Sequence, residues 1–539
     1  MRIQTLMRHS LILLGFLSPL VSSEARCAPP PKGLPPEVDA YLEKARKDWG
    51  IPGLAVAVVQ RDTVVAKGYG IRELGKPEPV DENTVFDAAS LTKSFTAALA
   101  AILVDEGKMK WDDPVRRYLP DLMLPDPYLA ENATLRDFLS HRTGLQPANM
   151  MWLLTAIPRA EVLRRVRCLK PAAPFRADMI YSNVGYTVAG EAIAAAAGTT
   201  YETLLRDRLI VPLGLKSTTW SYAQAAEMPN HASPHAWIEG AQRPIRRETQ
   251  RASNGPAGAV QSSAADLARW MRFQLDGGVL DGKRLVSEAS LREMHSPQVI
   301  IPTTPEMRAA RLVEFFAAYG LGWQVMDYRG NAMLWHTGNG NGQIAFMALI
   351  PKQRLGVVVL VNTWAAPFVH GALINHLLDV YLGYKPRDWS AEGLARAPEI
   401  LKQERKPGRD LVAGAVPGSK PSRPLASYGG AYESCLFGPI HVRLEAAGLT
   451  LQMGEGQKAE LLHHHGDSFV VLWRDPLFRE ERTTLVSFDF GDAGAPKLAM
   501  QIGRDQIEAV ARGTASDSRG QSPRRKVSAA GKNSFGRSM

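Results

Sequence analysis

The chain has 539 residues, of which 45% are hydrophobic and 22% are charged, and this balance excludes a disordered, collagenous or coiled-coil protein. The formal net charge of +10 would suit a nucleic-acid or membrane-surface partner. Most of that charge lies in residues 1–28 and 511–539, so the body between them is nearly neutral and a nucleic-acid-binding function is excluded.

The N-terminus has the pattern of a secretory signal peptide. Arg2 and Arg8 precede the apolar run Leu11–Val21, and small residues follow around Ser23. Eleven apolar residues are too few for a helix that spans a bilayer. We therefore expect residues 1–28 to be a cleaved signal and the protein to be periplasmic or secreted, with an uncleaved anchor as the alternative.

Two pairs of β-strand patterns, one near each end of a long segment, predict a single domain. Leu54–Val59 and Thr63–Lys67 form one hairpin pattern, and Ile344–Ile350 and Val357–Val361 form the other. The sequence between them is helical and rich in loops. These patterns predict an α+β domain over residues 35–390, with one antiparallel sheet flanked by helices.

An alanine-rich helix is predicted over Ser90–Glu106, with Gly107 as its C-terminal cap. It opens with the sole S-x-x-K of the chain, Ser90 to Lys93. Residues three apart share one face of a helix, so the Lys93 amine can reach the Ser90 hydroxyl. A serine hydroxyl becomes a useful nucleophile only when a neighbouring group takes its proton. There is no G-x-S-x-G motif, which excludes a nucleophile elbow of the α/β-hydrolase kind.

Two further motifs follow along the chain. Tyr181-Ser182-Asn183 is the only Y-x-N, and His336-Thr337-Gly338 leads directly into a predicted strand. Arg142-Thr143-Gly144 has a similar pattern but precedes the tyrosine motif and leads into no strand, so we reject it as the third motif.

The last part of the chain predicts a second domain. Residues 391–424 pass from a charged helical stretch into a proline- and glycine-rich segment, which indicates an interdomain linker. Short strand patterns recur through residues 425–510 and predict a small β-barrel or sandwich. Residues 511–539 are rich in serine and arginine and predict a disordered basic tail that could associate weakly with an anionic envelope surface.

The cysteines are the candidates for a disulfide, and a histidine triplet is a candidate for a metal site. Only Cys27, Cys168 and Cys435 are present, and a bridge between the last two would join distant regions. We expect two free, mostly buried thiols. His463-His464-His465 predicts a polar strand end, because consecutive strand residues point to opposite faces. We expect no metal site and no cofactor.

Together the three motifs resemble those of the serine β-lactamase and penicillin-binding-protein superfamily, in its class C-like branch with Y-x-N. The resemblance covers about residues 38–385, and residues 428–503 look like the lipocalin-like barrel of some members. Further stretches typical of that superfamily, which we expect to form turns and helix caps, are Ile51-Pro52-Gly53-Leu54, Trp111-Asp112-Asp113-Pro114-Val115, Leu139-Ser140-His141, Thr143-Gly144-Leu145, Pro212-Leu213-Gly214-Leu215, Pro256-Ala257-Gly258, Asp266-Leu267-Ala268-Arg269 and Tyr319-Gly320-Leu321-Gly322-Trp323. The resemblance implies an all-helical subdomain beside the sheet.

The resemblance also implies a mechanism and the residues that carry it. Ser90 would attack a carbonyl carbon and form an acyl-enzyme, with Lys93 and Tyr181 as the base system. Asn183 would hydrogen-bond Lys93 and the substrate amide. The backbone N–H groups of Ser90 and Asn339 would form the oxyanion hole.

The third motif, with Asn339 after it, is expected to bind substrate through His336, Thr337, Gly338 and Asn339. Many β-lactamases of this superfamily carry lysine where this chain has His336, and a neutral or partly charged imidazole binds a substrate carboxylate less strongly than a fixed ammonium. Efficient β-lactam hydrolysis is therefore not the favoured activity.

The predicted function is that of a serine hydrolase that acts on a small molecule or peptide, as a D-amino-acid peptidase or DD-carboxypeptidase-like enzyme. A carboxylesterase and a weak class C-like β-lactamase are the alternatives within this mechanism. A catalytically silent penicillin-binding or assembly protein is the alternative of another class. The sequence leaves the natural substrate and the oligomeric state open.

Overall fold

The computed structural model describes residues 33–512, apart from 239–240, 246–254, 305–314, 341, 365–367, 386, 476–477, 480–481, 492–494 and 504. The predicted signal peptide lies outside these residues, as does the predicted tail beyond residue 512. Within the described ranges, no helix combines the length and the apolar character needed to cross a bilayer.

Helices account for much of the first 413 residues. The α-helices, numbered along the chain, are α1 Pro36–Asp48, α2 Thr92–Asp105, α3 Pro127–Asn132, α4 Leu135–Leu139, α5 Met151–Leu154, α6 Arg159–Arg165, α7 Asn183–Ala197, α8 Tyr201–Leu205, α9 Tyr222–Glu227, α10 Gly255–Gly258, α11 Ala264–Leu275, α12 Glu288–His295, α13 Val369–Tyr381 and α14 Trp389–Ala413. α14 occupies residues 391–413 of the segment predicted as a linker, and residues 414–424 connect it to the barrel.

The strands of the first domain are β1 Gly53–Gln60, β2 Thr63–Gly70, β3 Phe86–Asp87, β4 His235–Ile238, β5 Ala241–Pro244, β6 Gln261–Ser262, β7 Val279–Leu280, β8 Lys283–Arg284, β9 Val299–Ile301, β10 Ala317–Tyr319, β11 Gln324–Tyr328, β12 Asn331–Gly340, β13 Gln343–Ile350 and β14 Leu355–Val361. Eight of them form one antiparallel sheet in the order β2-β1-β14-β13-β12-β11-β10-β9. Both predicted hairpins are confirmed, and they lie side by side because Ala57 of β1 pairs with Val358 of β14.

Helices cover both faces of this sheet. On one face, Ala57 and Leu360 belong to the same core as α2 and α11. On the other, Val56 and Val359 pack with Leu373 of α13 and with α1. The central strands β1 and β14 are therefore buried almost throughout, which explains their continuous runs of valine, leucine and alanine. The α+β prediction is confirmed.

The buried helix α2 lies at the centre of the first domain. It packs against α7, α10 and α12, and most of its side chains have no contact with solvent. Its many alanines allow neighbouring elements to approach closely, and Gly107, with a φ of 70°, ends the segment as predicted. A short 3-10 helix, Ala89–Leu91, precedes α2 and carries Ser90.

The second domain is a closed barrel of eight antiparallel strands, in which β15 pairs with β22. Its strands are β15 Gly430–Ser434, β16 Gly438–Glu445, β17 Gly448–Met453, β18 Lys458–His465, β19 Ser468–Trp473, β20 Thr484–Asp489, β21 Lys497–Ile502 and β22 Asp505–Ala511. Aromatic side chains fill its interior: the Tyr428 ring lies 5.1 Å from the rings of both Phe469 and Phe488. The barrel predicted for this region is confirmed, and the histidine triplet lies at the end of β18.

The expectation of two free thiols is wrong, because Cys168 and Cys435 form a disulfide. The two cysteines are 267 residues apart in sequence, but the turn after α6 lies directly against the turn after β15. Arg165 of α6 donates to the carbonyl oxygens of Ser434 (3.0 Å) and Cys435 (2.8 Å), which holds the two segments together. The disulfide therefore links the first domain to the barrel.

Candidate active site

Ser90 lies at the junction between the sheet and the helical part of the first domain. The residue before it, Ala89, has a φ of 45°, which is unusual for a residue with a side chain. Its backbone N–H donates to the Asp87 carboxylate at 2.9 Å, and Gln261 donates to the same oxygen at 2.8 Å. This buried carboxylate stabilises the strained turn that presents Ser90.

Lys93 follows Ser90 by one helical turn and is fully buried. Its Nζ lies 3.0 Å from Ser90 Oγ, 2.7 Å from Asn183 Oδ1 and 2.8 Å from the carbonyl oxygen of Ala257. All three of these partners are uncharged. The spacing predicted from the S-x-x-K motif therefore places the amine against the hydroxyl.

Burial lowers the pKa of Lys93 well below its ordinary value. The Tyr181 and Tyr186 rings lie 4.7 and 5.3 Å from Nζ, and such contacts favour the charged form by about 2 kcal/mol when desolvated. Burying an ammonium costs several kcal/mol, so desolvation prevails over the rings. The site favours a neutral amine at position 93.

A neutral Lys93 would have a defined orientation. Asn183 Oδ1 and the Ala257 carbonyl can only accept hydrogen bonds, so they take the two N–H groups of a neutral amine. The remaining lone pair then faces Ser90 Oγ, and the Ser90 hydroxyl donates to it.

Tyr181 contacts Ser90 from the other side, since its hydroxyl lies 2.9 Å from Ser90 Oγ. The motif forms the turn into α7: the Ser182 side chain caps the helix by accepting from the N–H of Gly185, and Asn183 is its first residue. Burial raises the pKa of Tyr181 well above its ordinary value, so the phenol stays protonated and donates to Ser90 Oγ.

Two residues that the motifs do not reveal hold this turn in place. The Asn149 side chain donates to the carbonyl oxygen of Tyr181 (3.0 Å) and accepts from the N–H of Asn183 (2.8 Å). His141 Nδ1 accepts from the N–H of Ser182 at 3.1 Å, and its ring lies 4.4 Å from the Tyr181 ring. His141 occurs in a stretch expected to be structural, whereas Asn149 lies in a loop with no sequence signal.

The third motif lies on β12, which runs beside the Ser90 turn. β11 pairs with β12 only as far as Gln324 opposite Trp335, so residues 336–340 pair with β13 alone among the described strands. A side chain at Gly338 would meet the carbonyl oxygen of Ala88 at 2.1 Å. Glycine at position 338 therefore lets β12 approach the backbone before Ser90.

His336 and Asn339 line the cavity together with Thr337. The Ser90 amide belongs to the first turn of its helix, where N–H groups have no intrahelical acceptor. Asn339 lies on the part of β12 that runs past this turn, as the predicted oxyanion hole requires. The structure thus brings all eight predicted site residues together at Ser90. Seven of them contribute a side chain or a backbone group to the site, whereas Gly338 allows the close packing of the backbone.

His336 is neutral and both its ring nitrogens are occupied. Its Nδ1 lies 2.6 Å from the carbonyl oxygen of Thr337, which requires an N–H there, and its Nε2 accepts from the Tyr319 hydroxyl at 3.0 Å. Burial lowers the pKa of His336 to about 3. This imidazole supplies no positive charge to a substrate carboxylate.

The cavity in front of Ser90 has a volume of about 530 Å³ and is lined by both domains. Trp152 and Leu153 of α5, Tyr222 and Trp364 form much of the apolar wall. Phe478 and Arg482 of the barrel complete the wall. Among the described lining residues, Arg482 carries the one charged side chain. The backbone carbonyl oxygen of Arg482 accepts a hydrogen bond from the Trp473 indole N–H at 3.1 Å, which fixes Arg482 to the barrel.

Comparison with known proteins agrees with this geometry. The β-lactamase family profile matches residues 38–380, which is more than half of the chain. The chain belongs to the β-lactamase family. A second profile, for a domain of unknown function (DUF3471), matches residues 415–509, the region of the barrel.

Relatives of this β-lactamase-family chain include hydrolases. An unguisins hydrolase of Aspergillus campestris is 30% identical over 71% of this chain and 73% of its own. A D-alanyl-D-alanine-carboxypeptidase/endopeptidase of Escherichia coli is 24% identical over 66% of this chain and 92% of its own. The fold is shared with a penicillin-binding protein homologue from Pyrococcus abyssi, at a TM-score of 0.57 and 19% identity over 88% of this chain and 99% of that one.

The buried, neutral state of His336 predicts a pH effect on stability. Its pKa is about 3 in the folded state and about 6.5 in an unfolded chain, so between these values the unfolded state binds more protons. The contribution of His336 to stability therefore falls as the pH is lowered through this range. His336→Gln should make the free energy of unfolding, measured by urea denaturation between about pH 7 and about pH 4, less dependent on pH. An identical pH dependence in parent and variant would contradict a buried neutral imidazole.

Proposed function

We propose that this protein is a serine hydrolase that cleaves an amide bond next to a D-amino acid, as a peptidase or DD-carboxypeptidase-like enzyme, through an acyl-enzyme on Ser90. The observation that carries the proposal is the contact of Ser90 Oγ with both Lys93 Nζ (3.0 Å) and Tyr181 OH (2.9 Å). A nucleophile with a base on one side and a proton donor on the other is what acyl transfer from an amide requires.

In the acylation step the two neighbours have different roles. Neutral Lys93 takes the proton of Ser90 as Oγ bonds to the substrate carbonyl carbon. The C–N bond then breaks, and the leaving amine takes the Tyr181 proton. The pKa directions support this division, because burial keeps Lys93 available as a base and keeps Tyr181 protonated. The phenolate that forms is balanced by the new Lys93 ammonium.

Deacylation reverses the proton transfers. Water gives a proton to the Tyr181 phenolate and attacks the acyl carbon, and the Ser90 ester bond breaks. Ser90 Oγ then recovers its proton from the Lys93 ammonium. We expect the amide N–H groups of Ser90 and Asn339 to stabilise the oxyanion in both steps, and the loss of one such donor typically costs about 2.7 to 4 kcal/mol.

The cavity supports a peptide substrate. The edge of β12 at residues 336–340 pairs with no described strand on the side of Ser90, so an extended peptide can hydrogen-bond along it. Arg482 is the charged side chain of the wall, and a guanidinium binds a carboxylate through paired hydrogen bonds. A peptide with a free C-terminal carboxylate fits both features, and the Escherichia coli relative is a D-alanyl-D-alanine-carboxypeptidase/endopeptidase.

The formation of a covalent adduct on Ser90 tests the proposed function directly. Incubation with a fluorescent penicillin, a p-nitrophenyl ester or a fluorophosphonate should give a covalent adduct whose mass maps to Ser90, because acylation needs only the nucleophile and its base. Ser90→Ala should give none, and Ser94→Ala, which changes the next serine along the chain, in α2, should leave the adduct unchanged. Absence of a Ser90 adduct with all three reagents would contradict the proposal and favour a catalytically silent binding protein.

Arg482 provides a test of the substrate class. Arg482→Ala should raise KM about tenfold for a D-Ala-D-Ala peptide with a free carboxylate, since a hydrogen bond to a charged group contributes about 1.5 to 3 kcal/mol. The same peptide with a C-terminal amide should show no added loss. Arg474→Ala removes a barrel arginine that pairs with Glu445 and Glu460 and serves as the matched control.

Steady-state turnover decides between the substrate classes. Faster hydrolysis of short-chain esters or of β-lactams than of D-peptides, with no effect of Arg482→Ala, would favour the carboxylesterase or the weak class C-like β-lactamase.

A further inference from the structure

The barrel makes a buried polar contact with a loop next to the active site. Asp505, the first residue of β22, is 1% exposed, and its Oδ2 accepts from the N–H of Met150 at 2.6 Å. Its other oxygen, Oδ1, is buried with no hydrogen-bond partner among the described residues. A buried carboxylate is costly unless it is hydrogen-bonded, so this group has a strong requirement for the Met150 amide. Burial raises its pKa to about 6, and the nearby backbone amides of Met150 and Ala148 oppose that rise.

The loop that Asp505 holds has a strained backbone. Ala148 is buried and has a φ of 48°, in the left-handed region that is unfavourable for a residue with a side chain. Such a conformation persists only where the surroundings enforce it. The hydrogen bond from the Met150 amide to Asp505, one residue beyond Asn149, is one such restraint.

Asn149, between the two amides, is the residue that contacts the catalytic turn. Its side chain donates to the carbonyl oxygen of Tyr181 at 3.0 Å and accepts from the N–H of Asn183 at 2.8 Å. Asn183 in turn holds Lys93 Nζ at 2.7 Å. A continuous series of hydrogen bonds therefore runs from the barrel to both groups that contact Ser90.

The barrel is held firmly enough to carry such a role. The N–H of Gln457 donates to the carbonyl oxygen of Leu154, at the end of α5, at 3.1 Å. A side chain at Gly456 would lie 2.0 Å from the same oxygen, so the two domains are in close backbone contact beside the loop. The Cys168–Cys435 disulfide and the Arg165 contacts fix the barrel at a second place.

We propose that Asp505 is a positioning residue for acylation: through the amide of Met150 it fixes Asn149, which sets Tyr181 and Asn183 against Ser90 and Lys93. This role rests on the proposed function. It makes the barrel part of the catalytic apparatus for every substrate, independently of the contacts that the barrel makes with any one of them.

The proposal is tested by acylation kinetics with a fluorescent penicillin, on the full chain. Asp505→Ala should lower the limiting acylation rate constant between about 10- and 100-fold, as a small misplacement of catalytic groups does. The reagent concentration at half-saturation should change by no more than about twofold, since no residue that lines the cavity has been removed. Asp505→Asn keeps an oxygen that accepts an amide hydrogen bond, so it should restore much of the rate.

Two further variants separate positioning from general stability. Glu508→Gln, on the same strand, removes the surface ion pair between Glu508 and Lys170 of the first domain and should leave the rate constant unchanged. Asn149→Ala should lower the rate constant, and adding Asp505→Ala to it should cause little further loss, because the two residues act in series.

The outcomes are distinct. An unchanged rate constant in both Asp505 variants, or additive losses in the double variant, would overturn the positioning role while the parent still forms its Ser90 adduct. If Asp505→Ala does not fold, Asn149→Ala alone decides the question: an unchanged rate constant in that variant would overturn the role, because Asn149 is the contact through which Asp505 acts. Absence of an adduct in the parent would overturn the proposed function and this role with it.

Discussion

The burial of Lys93 is the constraint on which the rest of the site depends. An amine at the centre of a domain, with hydrogen-bond partners that are all neutral, is most stable without its charge. Because the other two partners only accept, the neutral amine must present its lone pair to Ser90. Three features bury the Lys93 amine: the alanine-rich α2, the close approach of β12 at Gly338, and the capped turn into α7.

The site needs both domains. The first domain supplies the nucleophile, the base and the tyrosine, each at an element terminus that the fold holds rigidly. Side chains fill the interior of the barrel, so the barrel contributes to the site through residues at its outer edge. Phe478 and Arg482 line the cavity, and Asp505 holds the loop that contacts the Tyr181 turn. A small barrel packed with aromatic side chains is a stable platform for such contacts.

The parts of this structure that follow local rules could be predicted from the sequence. The Ser90–Lys93 contact depends on helical spacing, and both hairpins depend on strand patterns a few residues long. Tyr181 and His336 could be found only through motif resemblance, since nothing local shows that α7 and β12 meet at Ser90. The alternation of buried and exposed residues in β15, β18 and β22 includes many polar side chains, so the sequence marks the bounds of these strands poorly.

The parts that depend on contacts between the domains could not be predicted. Cys168 and Cys435 meet only because α6 packs against the barrel, and nothing in the sequence indicates this contact between residues that are 267 positions apart. Asn149 and Asp505 are ordinary loop and strand residues in the sequence, and their roles arise from a packing arrangement that brings β22 to the loop before α5.

The mechanism is tested most directly by measuring the ionisation state of Lys93, because acylation of Ser90 requires a neutral amine at this position. In protein labelled with 13C at the lysine ε carbon, one resonance is assigned to residue 93 by its loss in Lys93→Met, and its shift is followed by NMR as the pH is raised. We expect this lysine to lose its proton well below the ordinary value of about 10.4, because burial lowers its pKa. A Lys93 resonance that titrates at or above the ordinary value would contradict the mechanism, because a permanently charged amine cannot take the proton of Ser90.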